Sequence, residues 1–445
     1  MARNITKLVS SIVLLSLSLT ACGTNTEQTL LTTEQQAQTV STFSVVTPSA
    51  PEILSQIQPS AIETTDWGVH VKALPLIKAQ KKVTLLSYMA FDNDKGGYRN
   101  ELVPMLNFHE LSGTSSIMNM VLQTDSAEEN DTKRYLVIGD GDSSKIVSPY
   151  TQFTKEQDSG DYKVLQRFVK WGFSSYSSQI KILDIDNHGG AFMGIAKDDT
   201  SSSLISLPNL AKGIKAGINH LDILNMDACL MGTIEAAYEL RDVADVTIGS
   251  EDSTLATGMM YTKSLPTILA QSKNTEAIAI NIILDSDRNG KDFLRRPNKK
   301  GKIPDIFTIA AYRSSAMKPL ITELNNLSQI LISKLPAQKQ AINVAISGTH
   351  PLNVDGDDMG GQRDLYELLA RLNTIMTDPA IKTAIARTHD ALNKSIVIAR
   401  IHNAEKHAQG LAINVSASQV QTDTYQATAF AKDSKWDELI VALSK

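Results

Sequence analysis

Two short apolar runs, separated by a stretch with helical spacing, most strongly constrain how this chain of 445 residues can fold. The runs are residues 180–186 (IKILDID) and 221–227 (LDILNMD), and each has the length of a β-strand. Between them, residues 203–218 carry apolar side chains spaced for one face of a helix. A strand, a crossing helix and a second parallel strand form a right-handed unit. The pattern therefore predicts an α/β fold whose central sheet is mostly parallel and flanked by helices.

Further apolar runs extend the predicted sheet in both directions along the chain. They are residues 83–89, 117–123, 134–138 and 246–249 in the first part, and residues 307–311, 396–401 and 411–415 in the last part. We expect a core domain over residues 67–300 and a C-terminal α/β part over residues 301–445. This C-terminal part packs on the core, either as a continuation of the same sheet or as an apposed subdomain.

A histidine and a cysteine follow the two runs at matching positions. His188 comes just after residues 180–186, and Cys229 comes just after residues 221–227. Ligand crevices in open α/β sheets lie beyond the carboxyl ends of the strands, so both side chains are expected at one edge. A helical stripe after Cys229 predicts a helix beginning near Leu230, whose macrodipole would favour the thiolate. Together these features indicate a hydrolase site with a cysteine and a histidine.

The first 21 residues have the pattern of a secretory signal. Arg3 and Lys7 precede an apolar stretch over residues 8–19, which is short for a membrane span. Residues 19–22 (LTAC) resemble the lipobox of bacterial lipoproteins. The resemblance implies cleavage before Cys22, lipidation of its thiol and anchoring in the cell envelope, facing the periplasm or the exterior; a plain secretory signal is the alternative. Residues 22–66 are rich in Thr, Gln, Ser and Ala and show no sustained periodicity, which predicts a flexible tether.

The numbers and spacing of cysteines, charged residues and histidines argue against several classes of function. Lipidation of Cys22 leaves Cys229 without a disulfide partner, because the chain has two cysteines. A lone thiol in an oxidising compartment is either buried as a small apolar residue or used in chemistry. The formal net charge of -5, with both signs interspersed, argues against a nucleic-acid partner. The histidines show no metal-ligand spacing, so the sequence predicts no metal site and requires no cofactor.

Residues 186–190 (DNHGG) and 226–232 (MDACLMG) resemble the clostripain family of cysteine peptidases, whose fold is caspase-like. The resemblance extends in order over roughly residues 81–415. It implies a peptidase with a Cys-His dyad, in which Cys229 is the nucleophile and His188 protonates the leaving amine. It also implies that the backbone N–H groups of Gly189 and Cys229 bind the oxyanion.

The same resemblance implies that Asp227 lines the primary specificity pocket and pairs with an Arg or Lys just before the scissile bond. A partly desolvated carboxylate recognises a guanidinium through two hydrogen bonds. Strand alternation also places Asp227 and Cys229 on the same side. The alternative is that Asp227 caps a helix beginning near Leu230. Glu251 or Asp252 is expected to supply a second acidic wall.

Two further expectations come from the family. Some members bind calcium, and residues 353–358 (NVDGDD) offer oxygen ligands in a loop. The sixth position holds Asp358 where an EF-hand has glycine, so a polar surface turn is the alternative. Some members also cleave themselves between the histidine and the cysteine. Lys197 is the expected site, because it lies in the most loop-like part of that interval.

The expected function is that of a lipid-anchored extracytoplasmic cysteine endopeptidase that acts on proteins or peptides and cuts after Arg or Lys. A catalytically inactive caspase-like lipoprotein that binds proteins or surface glycans is the alternative. Its support is the segment after Asp252, where residues 257–261 (TGMMY) replace the glycine- and tryptophan-rich loop that is usual in the family.

Overall fold

The computed structural model describes residues 64–65, 68–69, 74–77, 79–93, 99–140, 145–254, 258–259, 261–294, 308–354, 357–401 and 407–445. The predicted signal peptide, Cys22 and nearly all of the predicted tether lie outside these residues. So does the predicted domain boundary at residue 300. Among the described residues, no helix combines the length and the apolar character needed to cross a membrane.

Strands and helices alternate along most of the described chain. The described strands are β1 (Thr64–Thr65), β2 (Gly68–Val69), β3 (Lys81–Phe91), β4 (Met118–Ser126), β5 (Lys133–Leu136), β6 (Tyr150–Gln152), β7 (Ser178–Asp186), β8 (Ile195–Asp198), β9 (Ser203–Ile205), β10 (Leu221–Asp227), β11 (Ala244–Gly249), β12 (Thr308–Arg313), β13 (Pro351–Val354), β14 (Asp357–Asp364), β15 (Ile396–Ile401) and β16 (Ala412–Asn414). The described α-helices are α1 (Arg99–Ser112), α2 (Tyr162–Ser175), α3 (Leu207–Gly217), α4 (Ile234–Glu239), α5 (Leu265–Gln271), α6 (Thr275–Leu294), α7 (Met317–Gly348), α8 (Leu365–Ile375), α9 (Pro379–Ser395), α10 (Asp423–Gln426), α11 (Ala429–Asp433) and α12 (Trp436–Ser444).

Among the described strands, nine form the main sheet, in the order β15-β12-β11-β10-β7-β3-β4-β5-β6. The central strands from β11 to β4 run parallel to one another. The outer strands on both sides are antiparallel to their neighbours. The predicted caspase-like α/β fold with a parallel central region is confirmed. Strands β12 and β15 continue the same sheet, whereas β16 belongs to a separate three-stranded sheet with β13 and β14.

Helices cover both faces of the sheet, because alternate residues of a strand point to opposite sides. In β7, Leu183 and Ile185 pack with side chains of α2 and α3. Ile182, on the other face of the same strand, packs with side chains of α1 and α6. Burial of each such side chain stabilises the fold by about 1.5–3 kcal/mol relative to exposure in water. The strand ends are therefore the edge at which a site can form.

The crossover between β7 and β10 contains a shorter helix than the sequence pattern indicates. Ser203–Ile205 forms β9, which pairs with β8, and helix α3 begins at Leu207. Ser206 is the N-cap residue, and Pro208 lies in the first turn, where proline is tolerated. The predicted helix over residues 203–218 is therefore wrong at its start, because pairing with β8 overrides the local helical spacing.

Candidate active site

Strands β7 and β10 end side by side, and each is followed by a residue that can do chemistry. The strands run parallel with Asp186 paired to Asp227, so His188 and Cys229 each lie two residues beyond the same row of the sheet. Neighbouring strands are about 4.8 Å apart. A Cβ atom on Gly189 would lie 2.2 Å from the carbonyl oxygen of Cys229. The loop that carries the histidine therefore lies directly against the backbone of the cysteine.

Asn187, which the sequence pattern did not single out, holds the histidine loop in place. Its side-chain Nδ2 donates to the carbonyl of Lys197 at 3.2 Å, and its Oδ1 accepts from the Lys197 N–H at 2.9 Å. The same Oδ1 accepts from the N–H of His188. The backbone N–H of Asn187 donates to the carbonyl of Asp227 at 3.4 Å. These bonds tie the loop to β8 and β10, and an amide residue between the strand end and the histidine was the available signal.

Cys229 is half-buried in a turn, and its sulfur contacts Thr254. The backbone N–H of Thr254 donates to Sγ at 3.3 Å, and the Thr254 Oγ1 lies 3.8 Å from the same sulfur. A hydrogen bond donated to sulfur favours the charged thiolate over the thiol. The side chain also packs against the apolar cluster formed largely by the C-terminal helices. The sulfur therefore has both a polar and an apolar neighbour, unlike a cysteine enclosed by apolar side chains alone.

The helix after Cys229 begins later than the sequence predicts. Helix α4 starts at Ile234, with Thr233 as its N-cap residue. Leu230 adopts a left-handed backbone with φ 61, and its N–H donates to the carbonyl of Asp252 at 3.1 Å. The chain thus turns along the end of β11 before it becomes helical. The prediction that the thiol lies at a helix N-terminus is therefore wrong, and the argument from the helix macrodipole does not apply to Cys229.

Asp227 is buried, with 7% of the residue exposed. One of its carboxylate oxygens accepts a hydrogen bond from the N–H of Met259. Burial, and then the charge of Asp184, raise the pKa of this carboxyl well above its usual range. An enclosed cavity of ≈ 10 Å³ lies against Asp227, Thr254 and Met259, with space for about one water molecule. Thr233 caps α4, so the alternative role of Asp227 as the cap of that helix is excluded.

The two acidic residues after β11 face different surroundings. Glu251 accepts from the N–H of Gly410 at 2.5 Å. Burial, and then the charge of Asp364, raise the pKa of Glu251 well above its usual range. Asp252 accepts from the N–H of Ser253 at 2.6 Å, and its carbonyl holds the turn that contains the thiol. The backbone of Asp252 thus contacts the turn that carries Cys229, while the carboxylate of Glu251 is held by Gly410 of the C-terminal part.

Lys197 lies on strand β8, so the predicted loop at this position is wrong. Its backbone N–H and carbonyl both bond to Asn187, and its ammonium lies 2.6 Å from Asp199. The hairpin of β8 and β9 accounts for the difference, because the serine-rich stretch that follows is its turn. Cleavage after Lys197 stays a prediction, and it requires this hairpin to open.

The stretch considered for calcium belongs to a β-hairpin. Residues 353–354 lie in β13 and residues 357–358 lie in β14, and Val354 pairs with Asp357. Asp355 and Gly356 lie outside the described residues. Calcium binding stays a prediction.

Three residues far apart in sequence meet in an arrangement that spacing could not show. His350 Nδ1 lies 2.7 Å from Glu367 Oε1, and His407 completes a group of three possible metal ligands. The two imidazole rings stack with centroids 3.3 Å apart and planes 8° apart. Their in-plane lone pairs therefore run side by side and do not converge on one ion. Arg371 also donates to Glu367 Oε1 at 2.9 Å, so we assign no metal to this group.

A caspase-like sheet with a cysteine and a histidine at one carboxyl edge defines the chain as a protein of the caspase-like cysteine peptidase class. A sequence profile of the clostripain family matches residues 87–442. The chain therefore belongs to the clostripain family, as residues 186–190 and 226–232 predicted.

Known relatives agree with this assignment. Clostripain from Hathewaya histolytica is 26% identical over 230 residues, which are 43% of this chain and 43% of the relative. The match therefore spans less than half of the length of that relative. A secreted C11 cysteine protease from Bacteroides thetaiotaomicron, solved in complex with an irreversible peptide inhibitor, is 16% identical and has a TM-score of 0.60, with 80% of this chain and 99% of that chain covered. An inactive zymogen C11 protease from Parabacteroides distasonis is 18% identical with a TM-score of 0.57 and the same coverage. These two structures share the fold.

Proposed function

We propose that this protein is a cysteine endopeptidase in which Cys229 is the nucleophile and His188 is the general acid and base. The observation that supports it is the register of β7 and β10, which ends both strands on the same row. The thiolate attacks the scissile carbonyl carbon, and the protonated imidazole gives its proton to the departing amine. Water, deprotonated by the same imidazole, then hydrolyses the thioester and regenerates the thiolate.

The backbone N–H groups of Gly189 and Cys229 are proposed to bind the tetrahedral oxyanion. The short pairing between the histidine loop and β8 is made by the N–H of Gly190, which donates to the carbonyl of Gly194 at 2.9 Å. The Gly189 amide takes no part in that bond. Fixed amide donors stabilise the negative oxygen without reorganising during the reaction.

Asp227 is proposed to select Arg or Lys at the residue before the scissile bond, with Asp252 as a second acidic group nearby. The position of Asp227 at the end of β10, two residues before the proposed nucleophile, supports this role. The Asp227 carboxylate already accepts a hydrogen bond from the N–H of Met259. A basic side chain must displace this turn, so substrate binding and movement of Met259 are coupled.

A peptide library varied at the residue before the scissile bond tests this function. We expect cleavage after Arg and Lys, and Asp227→Asn is expected to lower kcat/KM for basic peptides by about tenfold to a hundredfold, because one charged hydrogen-bond partner is lost. Asp245→Asn is the matched control, since Asp245 is exposed and pairs with His220. Cleavage mainly after neutral residues would contradict the proposed specificity.

We also propose that the protein is anchored by a lipid on Cys22 and faces away from the cytoplasm, on the basis of the LTAC motif. Wild-type protein is expected in the membrane fraction, and Cys22→Ala is expected in the soluble fraction with its peptidase activity unchanged. Fractionation followed by the peptide assay measures both. Equal membrane association of the two proteins would reject the anchor.

Self-cleavage after Lys197 is proposed as a consequence of the same activity, since a basic residue there matches the proposed specificity. It requires the hairpin of β8 and β9 to open. Because it depends on the same nucleophile, the chain mass of a Cys229→Ala protein tests it.

A non-catalytic binding lipoprotein is the second candidate function. The contact of Met259 with Asp227 favours it, together with the cavity of only ≈ 10 Å³. The two candidates differ in whether Cys229 reacts with a peptide-linked thiol reagent at neutral pH.

A further inference from the structure

Asp186 is a buried carboxyl group directly beside Asp227, and the roles assigned so far do not use it. The two residues are paired in the parallel register of β7 and β10, and Asp186 is only 4% exposed. Asp184, one row deeper, accepts hydrogen bonds from Ser87 at 2.9 Å and from Asn225 at 2.6 Å. Within the described part of the chain, no side chain or backbone group donates to the carboxyl of Asp186. A buried acidic group without a donor needs a proton or a cation.

Both carboxyl groups face the same glycine turn. A Cβ atom on Gly258 would lie 2.7 Å from Oδ2 of Asp186 and 2.7 Å from Oδ2 of Asp227. Gly258 also has a φ of +60°, which favours glycine. The missing side chain is therefore what lets this turn lie against the two oxygens. Asp186 and Asp227 thus form one acidic pair beneath a single turn.

Simultaneous ionisation of Asp186 and Asp227 is unfavourable, because both carboxyl groups are buried and their charges repel each other. Burial, and then the charges of Asp227 and Asp184, raise the pKa of Asp186 well above its usual range. Burial and the charge of Asp184 do the same for Asp227. Two carboxyl groups that share one site titrate as a unit, with one proton held between them over a wide pH range.

The groups packed around the pair do not offset its charge. Asp184 adds a third carboxyl from β7, and Tyr261 is buried with its pKa raised well above the usual range. His109 of α1 lies edge-on to Tyr261 with ring centroids 5.7 Å apart, and burial lowers its pKa. Asp285 of α6 accepts from the Thr262 hydroxyl at 2.6 Å. Among these described neighbours, none brings a positive charge at neutral pH.

We propose that Asp186 and Asp227 together receive the basic side chain of the substrate, and that the proton they share leaves as the cation enters. This inference rests on the proposed peptidase function and adds Asp186 to its specificity site. The exchange is balanced: the guanidinium binds to two carboxylates, and one proton passes to solvent. The hydrogen bond from the N–H of Met259 to the Asp227 carboxylate breaks in the same step.

The depth of the pair suits a long side chain with a branched head. Asp186 and Asp227 end β7 and β10, and the thiol lies two residues further along the chain, in the turn after β10. The guanidinium of arginine presents several N–H donors in one plane and can bond to two carboxylates at once. The ammonium of lysine is a compact charge that satisfies such a pair less fully. The paired site is therefore expected to prefer Arg over Lys.

Proton release on ligand binding tests the proposal with the full chain carrying Cys229→Ala. Acetyl-arginine amide is titrated at pH 7 by calorimetry in two buffers of different ionisation enthalpy, and the neutral acetyl-citrulline amide serves as the matched ligand. We expect about one proton released per arginine amide, and no binding of the citrulline amide. Adding Asp186→Asn is expected to abolish most of the release and to weaken binding about tenfold. Adding Asp245→Asn should change neither quantity.

Two outcomes would overturn the role of Asp186. The first is binding without proton release in the Cys229→Ala protein. The second is an Asp186→Asn protein with the same proton count and affinity as its parent. If Asp186→Asn fails to fold in a thermal melt, the proton count of the parent decides alone. Cleavage after Arg by an active Asp186→Asn enzyme with unchanged KM rejects this inference only, whereas no cleavage of any peptide, basic or neutral, by wild type rejects the peptidase function and this inference with it.

Discussion

Cleavage of peptides with Arg or Lys before the scissile bond is expected to fall at least about a thousandfold when Cys229 is replaced by alanine. The physical reason is that alanine has no thiolate to attack the scissile carbonyl carbon, so the acyl-enzyme cannot form. His188→Ala is expected to cause a loss of similar size, since the amine then leaves without a proton donor. Steady-state kinetics with a fluorogenic peptide measure both variants.

The other cysteine of the chain supplies the control for this experiment. A Cys22→Ala protein should retain its activity and should still be labelled on Cys229 by a peptide-linked thiol reagent at neutral pH. The Cys229→Ala protein should remain unlabelled and should stay a single chain where wild type is cut after Lys197. Full activity in both Cys229→Ala and His188→Ala would reject the dyad. An unreactive Cys229 in the wild-type protein would favour the non-catalytic lipoprotein.

Gly189→Ala is expected to lower kcat/KM at least about a hundredfold and to lower the free energy of unfolding by about 1–3 kcal/mol. A Cβ atom at this position would lie 2.2 Å from the Cys229 carbonyl oxygen, 2.8 Å from Cγ of Met231 and 3.0 Å from Cβ of Ala228. The nearest of these atoms is backbone, so the histidine loop and the cysteine turn must move apart. Peptide kinetics and thermal unfolding report the two effects separately.

Gly190→Ala is the matched control one residue further along. A Cβ atom there would lie 3.1 Å from Cε and 3.3 Å from Cβ of Met193, and the end of a methionine side chain adapts easily. Its activity and stability are expected to stay close to those of wild type. Equal activity of the Gly189→Ala and wild-type enzymes would mean that contact between the two loops is not needed for catalysis.

The paired strands place polar residues in successive rows towards the site. Along one face of β7 and β10, the rows run from Ile182 and Ile223, through Asp184 and Asn225, to Asp186 and Asp227. His188 and Cys229 follow two residues later. The change from apolar to polar is readable as D-x-D-x-H and N-x-D-x-C in the sequence. These rows place three buried carboxyl groups, those of Asp184, Asp186 and Asp227, on the face that leads to the loops carrying His188 and Cys229.

The candidate dyad was predictable because both residues follow strands of a recognisable length with a crossover between them. Parallel strands joined in this way must expose their carboxyl ends at one edge. The family motifs around His188 and Cys229 could also be recognised, because each is a short run of neighbouring residues. Asn187 and Thr254 were not predictable as partners, since their bonds to the two loops depend on how distant segments fold back.

Local periodicity by itself determined the α/β class, the central parallel strands and the positions of His188 and Cys229, because strand and helix spacing are properties of neighbouring residues. Tertiary structure alone decided the later start of α4 and the strand at Lys197, where pairing with other segments overrides helical or loop preference. It also decided that Asp186 and Asp227 share one turn, since Gly258 reaches them from a distant part of the chain. Contacts between distant segments arise from burial and backbone pairing across the sheet, which no local pattern records.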